Sequence, residues 1–234
     1  MAAELKTFAK PIYLYRYRSL RRELADSAGG ARDRFREELN AVQQRHIFCS
    51  RYRDMNDPME GLYKSARSAR EHPEYTAMVR DIRSEKLNLG IASFSETWDH
   101  PLMWAHYADG FRGICIAYHL RSLLDELPDG CALTRIAYAE RPHTLTRSRA
   151  ENQEIRAKAL LAQKSAAWSY EREWRLFAPA VGPSRYDSEA IHHVYLGSRI
   201  SRDQSTRLSR RLEAAGIEVR PTRIKGYSLV RERE

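Results

Sequence analysis

No stretch of the sequence approaches the roughly eighteen consecutive apolar residues that a membrane-spanning helix needs, so no membrane segment is expected. The opening Met1-Ala2-Ala3-Glu4-Leu5-Lys6 has no apolar run behind a basic cap. No secretory leader is therefore expected, and the chain is read as cytoplasmic. Cysteine is scarce: Cys49, Cys115 and Cys131 are odd in number and lack a Cys-x-x-Cys spacing. That argues against a disulfide framework and a zinc site, and the three read as small apolar thiols in a reducing compartment. Also absent are a Walker loop, GxGxxG, HExxH and GxSxG. Classical P-loop, Rossmann, zincin and nucleophile-elbow chemistry loses support with them, and no metal is expected.

What the sequence does have is charge and aromatic residues. Its 234 residues are 42% hydrophobic, enough for the core of one domain spanning 1–234. The formal net charge is +9, carried mostly by arginine. Arginine grips phosphate bidentately and stacks on flat groups, so DNA, RNA or an anionic nucleotide is a natural partner. A merely solvated basic surface fits the same number, and charge alone does not choose.

Along the chain, Ile12–Arg18 alternates, with Tyr13, Tyr15 and Tyr17 on one face and Leu14, Arg16 and Arg18 on the other, the pattern of a strand. Ser19 is placed to cap a helix to Ala25, broken at Ser27–Gly30, with a second helix over Ala31–Gln44. Strands are predicted at His46–Cys49, Gly90–Ser95, Gly113–Tyr118, Ala132–Tyr138, Trp174–Phe177, Ile191–Leu196, Ile217–Arg220 and Lys225–Val230. Helices are predicted at Glu74–Leu87, after an Asp99 cap with Pro101 in the first turn and Gly110 at the end, at Leu145–Trp168 and at Arg202–Ala215. Arg51–Gly61 reads as a loop, and Ala180–Ser188 as poorly ordered. Irregular interleaving and tight strand connections point to an α+β fold with a mixed or split sheet flanked by helices.

Four polar-aromatic clusters are the candidates for chemistry: Tyr15–Ser19, Asn56–Glu60, Phe94–Glu96 with Met103–Tyr107, and Trp168–Arg175. Such groups are costly to bury apart, so they are expected to converge on one concave pocket. Glu171, Glu173 and Arg175 alternate, and on a strand they share one face. A carboxylate there, beside aromatics, could stabilise a developing cation. The same alternation makes a surface salt-bridge ladder, Glu171–Arg175 or Glu173–Arg175, which spacing alone favours; in the catalytic reading Glu171 instead orients Arg175. Met103, His106 and Tyr107 share a helix face with Trp104 beside them, either an aromatic wall or a core helix with a satisfied histidine. Asn56-Asp57-Pro58 reads first as an Asx turn with Glu60 reaching back to cap it, and Asp57 with Glu60 as magnesium ligands is a weak alternative. Arg16 and Arg18, flanked by tyrosines, suit a diphosphate and a stacked ring.

Taken in order, these motifs resemble an uncharacterised bacterial family, the domain of unknown function DUF2971. The motifs that carry the resemblance are Tyr13–Ser19, Asn56–Glu60, Phe94–Glu96, Met103–Tyr107, Gly113–Ile116, Tyr138, Lys164–Arg175 and Tyr195–Gly197. A weaker resemblance joins the second half to DarT-type ADP-ribosyltransferases that modify nucleic acid. It rests on Pro101-Leu102-Met103-Trp104, Ile114–Tyr118, Glu173-Trp174-Arg175-Leu176 and Ile191–Leu196 in the same order. The chain departs from that pattern in having no evident histidine on the opening strand.

What this second resemblance implies is an ADP-ribosyltransferase-like fold that consumes NAD, with Glu173 as the catalytic glutamate at the nicotinamide ribose. Arg16, Tyr17, Arg18, Ser95, Trp104, His106 and Tyr107 would line the NAD pocket, supported by Asn56, Asp57, Glu60, Glu171 and Arg175. Nucleic acid or protein would be the acceptor, and a toxin or phage-defence effector the context. Two rival readings stay open: a nucleotide-binding or sensor module without turnover, and a nucleic-acid hydrolase acting through Asp57, Glu60 and His106.

Overall fold

The computed structural model describes residues 10–23, 32–146, 152–186 and 190–232. Its centre is an eight-stranded sheet, whose strands alone carry β labels here. They are β1 Tyr13–Arg18, β2 Gly90–Ser95, β3 Ile114–His119, β4 Ala132–Arg135, β5 Glu173–Ala178, β6 Ile191–Leu196, β7 Glu218–Lys225 and β8 Ser228–Arg231. The spatial order is β8-β7-β6-β3-β1-β2-β5-β4. Only β6 and β7 run parallel; the other neighbours are antiparallel. The sheet is mixed, with helices packed on it, as the α+β reading expects.

Strand alternation divides the sheet into two faces. One presents Leu14, Phe94, Ile114, Ile116, Leu176, Val194 and Leu196 to the main apolar core. That core is closed by Phe35, Leu39 and Val42 of helix α1 (Arg34–Gln43), by Leu123, and by Leu208 and Leu212 of the helix at Arg202–Glu213. The opposite face carries Tyr15, Tyr17, Ser93, Ser95, Glu173 and Arg175, as the registers Tyr15↔Ser95, Glu173↔Ser95 and Arg175↔Ser93 require. Met103 and Trp104, from a helix at Pro101–Tyr107, cover its middle with Tyr17, Cys115 and Tyr195. Ala157 and Leu161, from a helix at Gln153–Leu161, cover its far end with Ile91 and Phe177.

The sheet is split. β1 pairs with β3 at all six residues but meets β2 only at Tyr15↔Ser95. Beyond that point another segment takes over the edge of β2. Ser50, just past the strand His46–Cys49, exchanges backbone hydrogen bonds of 2.7 and 2.8 Å with Ile91. Close approach requires glycine next door: a Cβ on Gly90 would lie 2.2 Å from the Ala180 carbonyl oxygen.

Several elements differ from the sequence expectation. Arg22–Glu23 pairs with Arg32–Asp33 as a short ladder, so the helix expected from Ser19 does not form over its described part. Residues 24–31, including the expected break at Ser27–Gly30, lie outside the described residues. Asp33 caps α1, its carboxylate accepting from the Arg36 amide. His100 rather than Asp99 precedes the Pro101 helix. The helix Leu120–Glu126, the short strands Tyr63–Ser65 and His143–Leu145, and the turn of helix Arg67–Arg70 went unforeseen. The strand expected over Ala132–Tyr138 divides into β4 and Ala137–Ala139. Of the long helix expected over Leu145–Trp168, only Gln153–Leu161 is helical, capped by Asn152. Gln163–Ser165 then pairs parallel with Ala137–Ala139, and Ala166–Glu171 is a 3₁₀ helix. Gly182–Arg185, expected to be poorly ordered, is a strand paired with His46–Cys49, while 187–188 lie outside the described residues.

Candidate active site

A cavity of about 320 Å³ occupies the split. β1 lines it with Tyr15, Arg16, Tyr17 and Arg18, and β2 with Ile91 to Ser95. Asn56, Glu60, Met103, Tyr107, Lys164, Glu171 and Glu173 complete the part that carries chemistry. The four sequence clusters therefore converge, and Arg16 and Glu173 line one cavity although they project from opposite faces of the sheet.

On one side sit five buried charges. Arg175, with no exposed surface, stands behind the cavity. Its guanidinium reaches the two oxygens of Glu60 at 2.9 and 3.1 Å and Glu173 Oε1 at 3.0 and 2.8 Å, and also the Leu161 carbonyl. Lys164 Nζ donates to Glu171 Oε2 at 2.6 Å and Glu173 Oε2 at 3.3 Å, 3.7 Å from Glu60. Three carboxylates against two cations leave one net negative charge. Burial pushes the Glu173 carboxyl up, but Arg175 and Lys164 outweigh it and hold the group below the usual carboxylate range. For Glu171 burial prevails over Lys164 and raises the carboxyl. Tyr107 Oη donates to Glu171 Oε1 at 2.5 Å, and burial followed by that neighbouring carboxylate drives the phenol's pKa up.

Local backbone geometry sets this convergence. Arg172 is left-handed at φ 44°, a conformation uncommon outside glycine, between the 3₁₀ helix and β5. It turns the chain so that Glu171 and Glu173, from two different elements, both reach Lys164. Ser95 Oγ donates to the Glu171 carbonyl at 2.7 Å and fixes the same turn. Tyr138 Oη accepts the Glu173 amide at 2.8 Å.

The other side is cationic. Arg16 Nη2 donates to the Phe48 carbonyl at 2.7 Å and its guanidinium lies over the Phe94 ring. It has no carboxylate partner among the described residues, and burial together with Arg18 lowers its pKa, so an anion here would relieve it. Arg18 is paired with Glu38, its Nε at 2.6 Å from Oε1; that carboxylate offsets burial and raises the guanidinium's pKa.

Most of the expected site residues are brought together: Arg16, Tyr17, Arg18, Asn56, Glu60, Ser95, Tyr107, Glu171 and Glu173 line the cavity. Others need correction. Trp104 is fully buried, edge-on to Tyr17 and donating from its indole to the Trp98 carbonyl at 2.6 Å; it is core, not a wall. His106 is exposed beside Tyr107, Trp168 and Tyr170 and is not part of the cavity lining, so it is neither a pocket wall nor a core histidine. Asp57 turns to the Met59 amide at 2.9 Å as an Asx turn, away from the cavity. Glu60 does not cap that turn; Arg175 holds it. Of Asp57, Glu60 and His106, only Glu60 lines the cavity, and Arg175 holds it. The expected surface ladder is a buried network, in which Glu173 pairs with Arg175 as one alternative had it, while Glu171 serves Lys164 and Tyr107.

Sequence reasoning missed Lys164 and Ser93. Lys164 lies within a motif but shows its partners only once residues 163–165 pair with 137–139. Ser93 shares strand parity with Ser95, which places both on the Glu173 face, where Ser93 helps hold the Glu173 carboxyl low.

The model of a family described as a protein of unknown function, DUF2971, matches residues 103–176. This is the family that the sequence motifs resemble, and the matched span holds Met103, Tyr107, Lys164, Glu171, Glu173 and Arg175. No curated protein and no solved structure matches the chain.

Proposed function

We propose that this chain is an NAD-consuming ADP-ribosyltransferase that opens the nicotinamide–ribose bond in the sheet split. The observation that carries the reading is the cavity's two-sided charge: an arginine without a carboxylate partner on one side, a net-negative carboxylate network on the other. NAD has matching parts, an anionic diphosphate and a cationic pyridinium on ribose. The cavity is at the lower end of the size range for small-molecule sites, suited to the nicotinamide and ribose with the rest across its rim. Breaking the bond makes an oxocarbenium-like ribose, and a fixed carboxylate beside it lowers the barrier. Glu173, kept ionised by Arg175 and Lys164, is that group in our reading. Its sequence resemblance to the glutamate of DarT-type transferases supports the assignment.

One observation favours the sensor reading instead. Both oxygens of Glu173 are already bonded, Oε1 to Arg175 and Oε2 to Lys164, and a saturated carboxylate suits binding without turnover. Incubation with NAD labelled in nicotinamide and in adenine separates the two. Nicotinamide release with adenine label fixed to an acceptor is the transferase result. Release with free ADP-ribose is hydrolysis. Calorimetric binding without release is a sensor, and neither binding nor release removes NAD from the site.

A further inference from the structure

On the core-covering side of the sheet, α1 and the Arg202–Glu213 helix enclose a groove of about 220 Å³ between them. Its floor is Phe35 and Leu39, which belong to the main apolar core. Its rims are polar and each is one helical turn long: Arg36 and Asn40 on α1, Arg207 and Arg211 on the facing helix. All four rim residues are exposed. The Arg207 guanidinium lies over the Phe35 ring at 4.8 Å, which holds one cation against the opposite helix.

Helix stability accounts for little of this convergence. Arg207 and Arg211 stand four positions apart and repel along their helix. The helix dipole favours Arg211, in a last turn, but disfavours Arg36, in the first turn of α1. Asp33 offsets Arg36 at 3.3 Å and Asp203 offsets Arg207 at 3.5 Å, yet exposed pairs of this kind contribute little. Arg211 has no carboxylate partner among the described residues. Residues 202–211 hold four arginines against one aspartate.

We propose that this groove docks an acidic segment of a partner protein, with one apolar side chain on the Phe35–Leu39 floor and carboxylates on both rims. A small free anion would leave the apolar floor unused. Phe35 is buried and Arg207 lies over its face, so a nucleobase finds no open ring to stack on. Three cations around a groove one turn long also make no extended track for a phosphate backbone. Glu38, on the buried side of α1, holds Arg18 of the cavity lining. The groove therefore backs onto the cavity's cationic side, and a docked segment leaves the cavity open. The proposal does not depend on the NAD reading.

The test is fluorescence anisotropy with a labelled peptide of about ten residues, one leucine flanked on both sides by glutamates. It should bind, and more weakly as salt rises, because rim charges are screened. Replacing its leucine by serine should weaken binding about tenfold or more, since the burial of an apolar side chain is lost. Arg36→Glu with Arg211→Glu should weaken it at least about tenfold, because carboxylates then face carboxylates. Arg67→Glu with Arg80→Glu, exposed positions on other helices, should change affinity by less than about threefold at physiological salt, where distant charges are screened. All four substituted side chains are exposed, so an unchanged Tm verifies folding. Absence of binding at low salt overturns the proposal. Equal binding of the serine peptide, or an equal loss in the Arg67 and Arg80 variant, also overturns it, because attraction is then general charge. A single-stranded oligonucleotide that binds more tightly than the peptide, displaces it and loses its own binding in the Arg36 and Arg211 variant overturns it in favour of a polyanion site.

Discussion

Replacing Arg175 by methionine removes the cation that two buried carboxylates share while roughly keeping the side chain's volume. Arg175 has no exposed surface, and Glu60 and Glu173 are nearly as buried. Lys164 remains, but it is 3.3 Å from Glu173 and 3.7 Å from Glu60 and is most closely bound to Glu171. Breaking one side of a buried pair costs about 3–5 kcal/mol, because the stranded charge keeps its desolvation penalty. At about 2–4 °C per kcal/mol for a chain of this size, Tm should fall by roughly 6–20 °C. The dependence on pH has a definite sign. In the wild type the Glu173 carboxyl is held below its usual value near 4.5, so its stabilisation is present above that pH and lost as pH falls through the folded value. In Arg175→Met burial prevails and the carboxyl is raised. Stability is then retained at acid pH and lost as pH rises through the new folded value. The deficit relative to wild type should therefore widen from pH 4 to pH 8 in urea titrations, and Glu60→Gln with Glu173→Gln should recover much of it. A loss below about 1 kcal/mol, parallel to wild type across pH, would mean that the carboxylates are solvated and the network is not a buried one.

Glu173→Gln should lower nicotinamide release ~100-fold or more while calorimetric NAD affinity changes little, because the charge is used in the transition state. Turnover at the wild-type rate in a folded variant would end the catalytic assignment. Tyr107→Phe removes a hydrogen bond that favours ionised Glu171, so the Glu171 carboxyl, already raised by burial, should titrate higher still. A carbon-13 titration that places it unchanged or lower refutes the pairing. His106→Ala, outside the cavity lining, should keep release within about twofold and Tm nearly fixed, as exposed substitutions usually do. A large loss of release would restore the histidine to the site.

What could be read from the sequence follows from which interactions are local. β1, β2, β3, β5 and β6 were legible because alternation records two-faced burial directly, and Glu173 with Arg175 fell correctly on one face. Whether that face met water or protein was not local information, and the expected exposed ladder became a buried network. The Leu145–Trp168 helix failed for the same reason. Its composition is helical, yet pairing of Lys164 opposite Tyr138 in a parallel ladder stops it after Leu161 and carries the lysine beneath the carboxylates. Trp104 and His106 sit two positions apart on one short helix. Spacing grouped them, but only packing shows that the tryptophan points into the core and the histidine to solvent.

Five ionisable side chains gathered under one cavity are not explained by stability. Well-packed apolar residues in their place are often neutral or stabilising, and Phe177, Leu161 and Trp104 show that apolar packing is at hand nearby. The arrangement instead gives fixed orientation. Arg175 and Lys164 hold the carboxylates, so in the proposed transferase reaction little reorganisation would be needed beside Glu173. The split sheet is a second departure from the arrangement most favourable for folding, since β1 gives up nearly all its pairing with β2. Ser50 offsets part of that loss through its two bonds to Ile91, and Arg16 ties the edge to Phe48. The left-handed Arg172 is a third. Network, split and strained turn all border the same cavity. Departures from local folding rules that concentrate in one place are what a functional site demands, and apolar packing of the fold supplies no reason for any of the three.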